Sequence, residues 1–178
     1  LMLALAQIPD RSRIRVRIVG EGDYSDGLRK LIAAHRLEET VEFDNRLYPL
    51  REIPRVLSDC HVGLVPLDVT PISDFALPLK LIEYTCLGLP SITVSTTAIT
   101  HYLRPDECMM YTPGDVTGLS RLIEGTVKDP DRLAGYRAKL GQARERMSWS
   151  RERFKYMALL DGLVTEKGDA SSKRSGCA

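Results

Sequence analysis

Short β-branched runs alternate along this chain with longer stretches whose apolar residues recur at helical spacing. Residues 14–19 (IRVRIV) alternate apolar and charged side chains and break at Gly20-Glu21-Gly22, which predicts a strand followed by a tight turn. Over residues 25–36, Leu28, Leu31 and Ile32 share one helical face, with Ser25 or Asp26 as the expected cap. A strand is expected at 40–43, then a short helix at 50–57 in which Pro54 fits only the first turn. The apolar run 62–65 reads as a strand stopped by Pro66. Residues 79–87 read as a helix ended by Gly88, suited to a left-handed C-terminal position, and by Pro90. Further strands are expected at Ser91–Val94 and Met109–Tyr111. Asp115 is placed to cap a helix over 118–127, Pro130 opens another to about residue 147, and Trp149 opens a last one to about 164.

Strand and helix in alternation predict an α/β fold, a doubly wound parallel sheet of Rossmann type. In such sheets ligands lie beyond the carboxyl ends of the strands. The loops after Val19, Phe43, Val65 and Val94 are therefore the ones in which to look for chemistry. Residues 1–164 form one expected domain, and the small, polar residues 165–178 are expected to be a disordered tail.

Composition narrows the function classes. With 178 residues, 43% hydrophobic and 28% charged, the chain matches an ordinary soluble domain, and a net charge of +1 gives no general attraction for nucleic acid. The four cysteines (60, 86, 108 and 177) lack metal-ligand spacing, and His35, His61 and His101 are scattered, so no metal site is expected. No apolar run reaches the ~18 residues of a membrane span, and a cytoplasmic protein is expected. Residues 1–8 read as the end of a helix in a chain that opens mid-pattern, as in a fragment of a longer protein.

Two groups of residues carry candidate chemistry. Gly20 and Gly22 flank Glu21 between a strand and a helix, where backbone comes close to a ligand and helix amides meet phosphate; a plain tight turn explains the same residues. Lys80 and Glu83 lie three apart on one face of a helix start. The ammonium is suited to a diphosphate and the carboxylate to the paired hydroxyls of a ribose. A solvated ion pair is the competing explanation from spacing alone.

The block 77–94 (LPLKLIEYTCLGLPSITV) resembles the donor-site segment of glycosyltransferase family 4, whose members have the GT-B fold. Other blocks follow that family's order: 16–22 (VRIVGEG), 37–47 (LEETVEFDNRL), 53–66, 111–130 (YTPGDVTGLSRLIEGTVKDP) and 147–156. The resemblance implies the nucleotide-sugar-binding half of a retaining glycosyltransferase that uses a UDP- or GDP-sugar, with no further cofactor. It implies a role in cell-surface polysaccharide or glycolipid synthesis, with peripheral membrane association of the full-length enzyme. Glu83 corresponds to the second glutamate of the family's E-x(7)-E motif, which holds the ribose; the first falls on Phe75, with Asp74 one position away. Lys80 then lies near the diphosphate, Gly20, Glu21 and Gly22 line the cleft, and Arg46 and Leu47 rim the base, although the usual preceding glycine is Asn45. Thr96 and Thr97 stand in the family's glycine-containing phosphate loop.

The resemblance also places the acceptor-binding N-terminal domain, and the first strand of the donor domain, outside this sequence. The fragment is then expected to be inactive alone, and to self-associate through an exposed interdomain face. Trp149, Phe154, Tyr156 and Leu160 are expected to be core or packing for that domain. The alternative is a non-catalytic nucleotide-binding or interaction module of the same fold, which Phe75 favours. A phosphoacceptor receiver domain with Asp68 after a strand is disfavoured by Gly20-Glu21-Gly22, where paired acids are needed.

Overall fold

A computed structural model describes residues 1–172, with side chains to residue 164. Five parallel strands alternate with helices: α1 (Met2–Ala6), β1 (Val16–Val19), α2 (Ser25–Ala34), β2 (Val41–Asp44), α3 (Ile53–Val56), β3 (Gly63–Val65), α4 (Leu79–Cys86), β4 (Ser91–Val94), α5 (Thr97–Tyr102), β5 (Met109–Tyr111), α6 (Val116–Lys128), α7 (Pro130–Arg146) and α8 (Trp149–Ser172). The strands pair in two groups. β1 lies beside β2 with Val16 opposite Val41, and β4 lies between β3 and β5 with Ile92 opposite Met109. The doubly wound parallel fold expected from the sequence is present, with its strands in two separately hydrogen-bonded sets. Every residue of β4 is buried, as expected of a central strand covered by helices on both faces.

The main core joins Leu5, Ile8, Val16, Ile32, Leu37, Ile92, Met109 and Leu119, and so packs α1, α2 and α6 on the sheet. A second cluster of Val65, Leu81, Ile99, Leu103 and Ala143 seats α4, α5 and α7.

Placement of α4 rests on two glycines. A Cβ on Gly63 would overlap the ring of Tyr84, so only glycine lets this turn of α4 lie against the start of β3. Just beyond that turn Gly88 has φ +69°, Leu89 N–H donates to the Tyr84 carbonyl at 2.9 Å, and Gly88 N–H donates to that of Thr85 at 3.1 Å. This is the Schellman termination that Gly88-Leu89-Pro90 predicted. Asp115 caps α6 as expected, accepting from Gly118 N–H at 2.7 Å.

Several expectations change. α2 is preceded by Tyr24 with no side-chain cap; Ser25 is already helical, and its hydroxyl turns back to the Gly22 carbonyl at 2.7 Å. The helix expected at 50–57 divides into a 3-10 turn, Leu50–Glu52, and α3, because Pro54 has no N–H and fits only a first turn. α5 was not anticipated; the hydroxyl of Thr96 caps it by accepting from Ile99 N–H at 3.2 Å. α8 continues to Ser172, past the 164 boundary set from the small, polar residues. Glu166, Lys167 and Ala170 are good helix formers and only Gly168 opposes them. Residues 173–178 of the expected tail lie outside the described residues. Trp149 (66% exposed), Phe154 (68%) and Tyr156 (52%) are solvent-facing, so among the described residues α8 adds none of these rings to the core and presents an apolar surface.

One buried ion pair ties the C-terminal helices to the sheet. Glu107 is 1% exposed, and its Oε2 accepts from Arg146 Nη2 at 2.5 Å and from Arg104 N–H at 2.9 Å. Burial pushes this carboxyl up, but the Arg146 guanidinium and the Arg104 amide outweigh it, leaving Glu107 below its ordinary 4.5. The pair's contribution is therefore complete above that value and is lost as pH falls through the depressed one. Arg146→Met should lower the unfolding free energy by about 2–3 kcal/mol at pH 7 in urea titrations. The deficit against wild type should shrink below pH 4.5. Gly63→Val should destabilise by about 1–3 kcal/mol, part of it recovered by adding Tyr84→Ala.

Candidate functional site

α4 runs antiparallel to β3. Tyr84, one turn after Lys80, lies on Gly63 at the start of β3, while Lys80 borders the cleft with Val65, Leu67 and Asp68 at its end. The N-terminus of α4 therefore opens at the carboxyl end of the sheet, with its first amides and positive end turned that way. Lys80 is exposed and Glu83 half-buried, three residues apart and on one face. Among the described residues neither forms a hydrogen bond or ion pair, in contrast to Arg17, Arg46, Arg146 and Glu107, which all do. The solvated Lys80–Glu83 ion pair considered from the sequence is thus not formed.

Gly20 leaves β1 at φ +135°, and its N–H donates to the Asp44 carbonyl at 3.1 Å. Backbone conformation, not crowding, requires glycine here, since a Cβ would meet no atom within 4 Å. Gly22 has an ordinary φ and accepts from Ser25, while Glu21 is exposed. The turn after β2 is fixed to that after β1: the Ser25 hydroxyl lies 2.9 Å from Asn45 Oδ1. Asn45 thus has a positioning role that the sequence did not reveal, because its partner lies 20 residues away in sequence.

Arg46 is held rigidly. Its guanidinium donates to both oxygens of Asp44, at 2.6 and 2.8 Å, and to the Tyr48 hydroxyl at 2.5 Å, while Tyr48 donates to Asp44 at 2.6 Å. Hydrogen bonds from Arg46 and Tyr48 hold the Asp44 carboxyl down to about 2. Arg46 thus keeps its charge neutralised locally, and Leu47 beside it is exposed. Thr96 is buried as the cap of α5. Thr97 is engaged by Asp74, whose carboxylate accepts from Thr97 N–H at 3.0 Å and from its hydroxyl at 2.6 Å. These bonds hold Asp74 below the ordinary carboxylate range. Phe75, at the position of the family's first glutamate, is exposed. A carboxylate one residue earlier therefore reaches the start of α5 and occupies donors that the sequence reading offered to phosphate. Thr96 before an apolar Ala98-Ile99 is the one sequence signal that identifies this helix start.

Cys108 is buried and its thiol is pushed up to about 11 by that burial, which makes it inert at neutral pH. Among the described residues no group of His, Cys, Asp and Glu is arranged to hold a metal ion, and no helix is long and apolar enough to cross a membrane.

Residues 1–147 match the model of the glycosyl transferases group 1 family, and the chain belongs to that family. It is 30% identical over 123 residues to WcaL of Escherichia coli K12, a protein named as a putative colanic acid biosynthesis glycosyltransferase; the match covers 67% of this chain and 30% of that one. Among solved structures, the fold is similar to Anabaena HepE in complex with UDP and glucose (TM-score 0.76, 19% identity, 90% of this chain and 44% of that one). Sucrose-phosphate synthase from Thermosynechococcus elongatus is similar too (TM-score 0.78, 19% identity, 93% and 41%). The chain thus spans less than half the length of these proteins, and its Rossmann-like fold corresponds to one half of theirs.

Because Lys80 and Glu83 have no partner to lose, Lys80→Ala and Glu83→Ala should each shift the unfolding free energy by less than about 0.5 kcal/mol in urea titrations. A larger loss would assign them a structural role.

Proposed function

We propose that this domain binds the nucleotide-sugar donor of a retaining glycosyltransferase, with UDP or GDP as the nucleotide. The observation that carries this reading is the unpaired Lys80 side chain in the cleft beside the end of β3, with the unpaired Glu83 one turn further on along the same face of α4. In this reading Glu83 accepts hydrogen bonds from the ribose hydroxyls, and Lys80 neutralises the diphosphate. The amides at the start of α4 and the turn 20–22 supply further donors to phosphate. Arg46 and Leu47 border the base, Arg46 with its guanidinium fixed by Asp44 and Tyr48.

Transfer with retention on one face of the sugar places negative charge on the departing diphosphate. A fixed ammonium and helix amides stabilise that charge most as the bond breaks. No other cofactor enters this scheme. The acceptor pocket belongs to polypeptide outside residues 1–178, so transfer requires that second half, and the domain alone binds without turnover. HepE, whose solved complexes hold UDP and UDP-glucose, and WcaL, named for colanic acid biosynthesis, support a UDP-sugar donor and a role in polysaccharide synthesis.

A second reading, a nucleotide-binding module that has lost donor-sugar recognition, is favoured by one observation: Asp74 occupies the Thr97 donors. The readings separate by calorimetry. In the first, UDP or GDP binds, Glu83→Ala and Lys80→Ala each weaken binding by roughly ten- to a hundredfold, and the matching nucleotide sugar binds at least as tightly as the bare nucleotide. Binding unchanged in Glu83→Ala removes the ribose role. Binding of bare nucleotide alone selects the second reading.

A further inference from the structure

The segment that leads from β3 into α4 is built around its own turn. Thr70 N–H donates to the Ser73 hydroxyl at 2.7 Å, Ser73 N–H donates to the Thr70 hydroxyl at 3.1 Å, and the Ser73 hydroxyl donates to the Asp68 carbonyl at 2.9 Å. Asp74 N–H donates to the Thr70 carbonyl at 2.9 Å, and Ser73–Phe75 form a 3-10 turn. The side chain of Asp74 does not join this local network. It reaches across 23 residues of sequence to Thr97, with one oxygen on the N–H and the other on the hydroxyl. The segment before α4 is thereby fastened to the turn after β4.

This fastening lies close to the start of α4. Only Ala76, Leu77 and Pro78 separate the 3-10 turn from Leu79, with Ala76 and Pro78 extended. Three extended residues span about 10 Å and leave little slack. Pro78 gives α4 no side-chain cap. Leu81 and Tyr84 seat the helix on the second core cluster, but Leu79 and Lys80 stand ahead of that anchor and are exposed. From the N-terminal side the first turn of α4 is held by this entry segment, through partial packing of Leu77 and through the hydrogen bonds of Asp74.

We propose that Asp74 is a positioning residue for the nucleotide diphosphate: by clamping Thr97 it fixes the entry into α4, and with it the placement of Lys80. The proposal rests on the donor-site reading above, and it gives Asp74 no contact with the ligand.

Electrostatics gives the proposal a sign. A carboxylate near a diphosphate repels it, so by Coulomb's law alone its removal strengthens binding. A clamp acts in the opposite direction, because a binding group displaced by about 1 Å loses much of its effect. Asparagine separates charge from geometry at this position: its carbonyl oxygen accepts from Thr97 N–H and its amide donates to the Thr97 hydroxyl, with no charge. Both partners lie near the surface, so the fold survives the loss of their hydrogen bonds.

The test is an NMR titration of residues 1–178 and its variants with UDP against uridine and GDP against guanosine, together with amide hydrogen exchange in the absence of ligand. Asp74→Ala should weaken binding of the diphosphate by about five- to tenfold and leave binding of the nucleoside within about twofold of wild type. Thr97→Val, which keeps the amide and loses the hydroxyl, should weaken the diphosphate less, and Asp74→Asn should stay within about twofold of wild type. In a Lys80→Ala background Asp74→Ala should cost less than about twofold, because the group it positions is gone. Exchange at the Leu81 and Ile82 amides, which donate to the Pro78 carbonyl, should quicken by at least about tenfold in Asp74→Ala. Unchanged or tighter diphosphate binding in Asp74→Ala, equal weakening of diphosphate and nucleoside, a loss that persists without Lys80, or unaltered exchange at these amides overturns the proposal. If neither diphosphate binds, or Lys80→Ala leaves binding unchanged, the donor-site reading falls and this proposal falls with it. Weakening by Lys80→Ala but not by Asp74→Ala removes this proposal alone.

Discussion

The contact between Tyr84 and Gly63 governs where the chemistry of this domain can sit. Because residue 63 lacks a side chain, α4 comes down on β3 with its third residue from the end, and the Gly88 turn then carries the chain directly into β4. With the C-terminal half of α4 fixed in this way, its first turn points to the carboxyl end of the sheet. Lys80 is delivered there without a partner of its own, and Glu83 follows one turn later on the same face. The arrangement is preorganised by backbone packing and not by side-chain ion pairs, which leaves both charges available to a ligand.

Some charged groups elsewhere in the domain are held by partners of their own. Arg17 is bound to Asp59, Arg46 to Asp44 and Tyr48, and Arg146 to Glu107, each with direct hydrogen bonds that fix its position. The Asp74–Thr97 contact adds a contrast, because at the start of α5 a carboxylate of the chain itself already satisfies the donors. Anion binding is therefore best supported at α4, with α5 contributing less than its hydroxyl-rich sequence implies.

Most of the architecture was legible from local residues. Gly88 with Pro90 marked the end of α4, Asp115 the start of α6, and β-branched runs marked β3, β4 and β5, because each signal acts within a few residues. Lys80 and Glu83 were legible for the same reason: helical spacing alone puts them on one face. What escaped depends on distant partners or on competing local signals. The run Ser95-Thr96-Thr97 read as a loop although Thr96 is a cap, and the partners of Asp74 and Asn45 lie more than fifteen residues away in sequence. Strand patterns likewise reveal that a strand exists and not which strand it pairs with. α8 carries aromatic residues at positions that suggest burial, yet among the described residues Trp149, Phe154 and Tyr156 stay exposed.

The central claim concerns the mouth of the sheet at α4, and amide chemical-shift mapping during a UDP titration of residues 1–178 tests it most directly. The account predicts that the largest perturbations fall on 20–22, the turn after β1, and on 79–83, the start of α4. Perturbations confined to other surfaces, or none at saturating nucleotide, would contradict it.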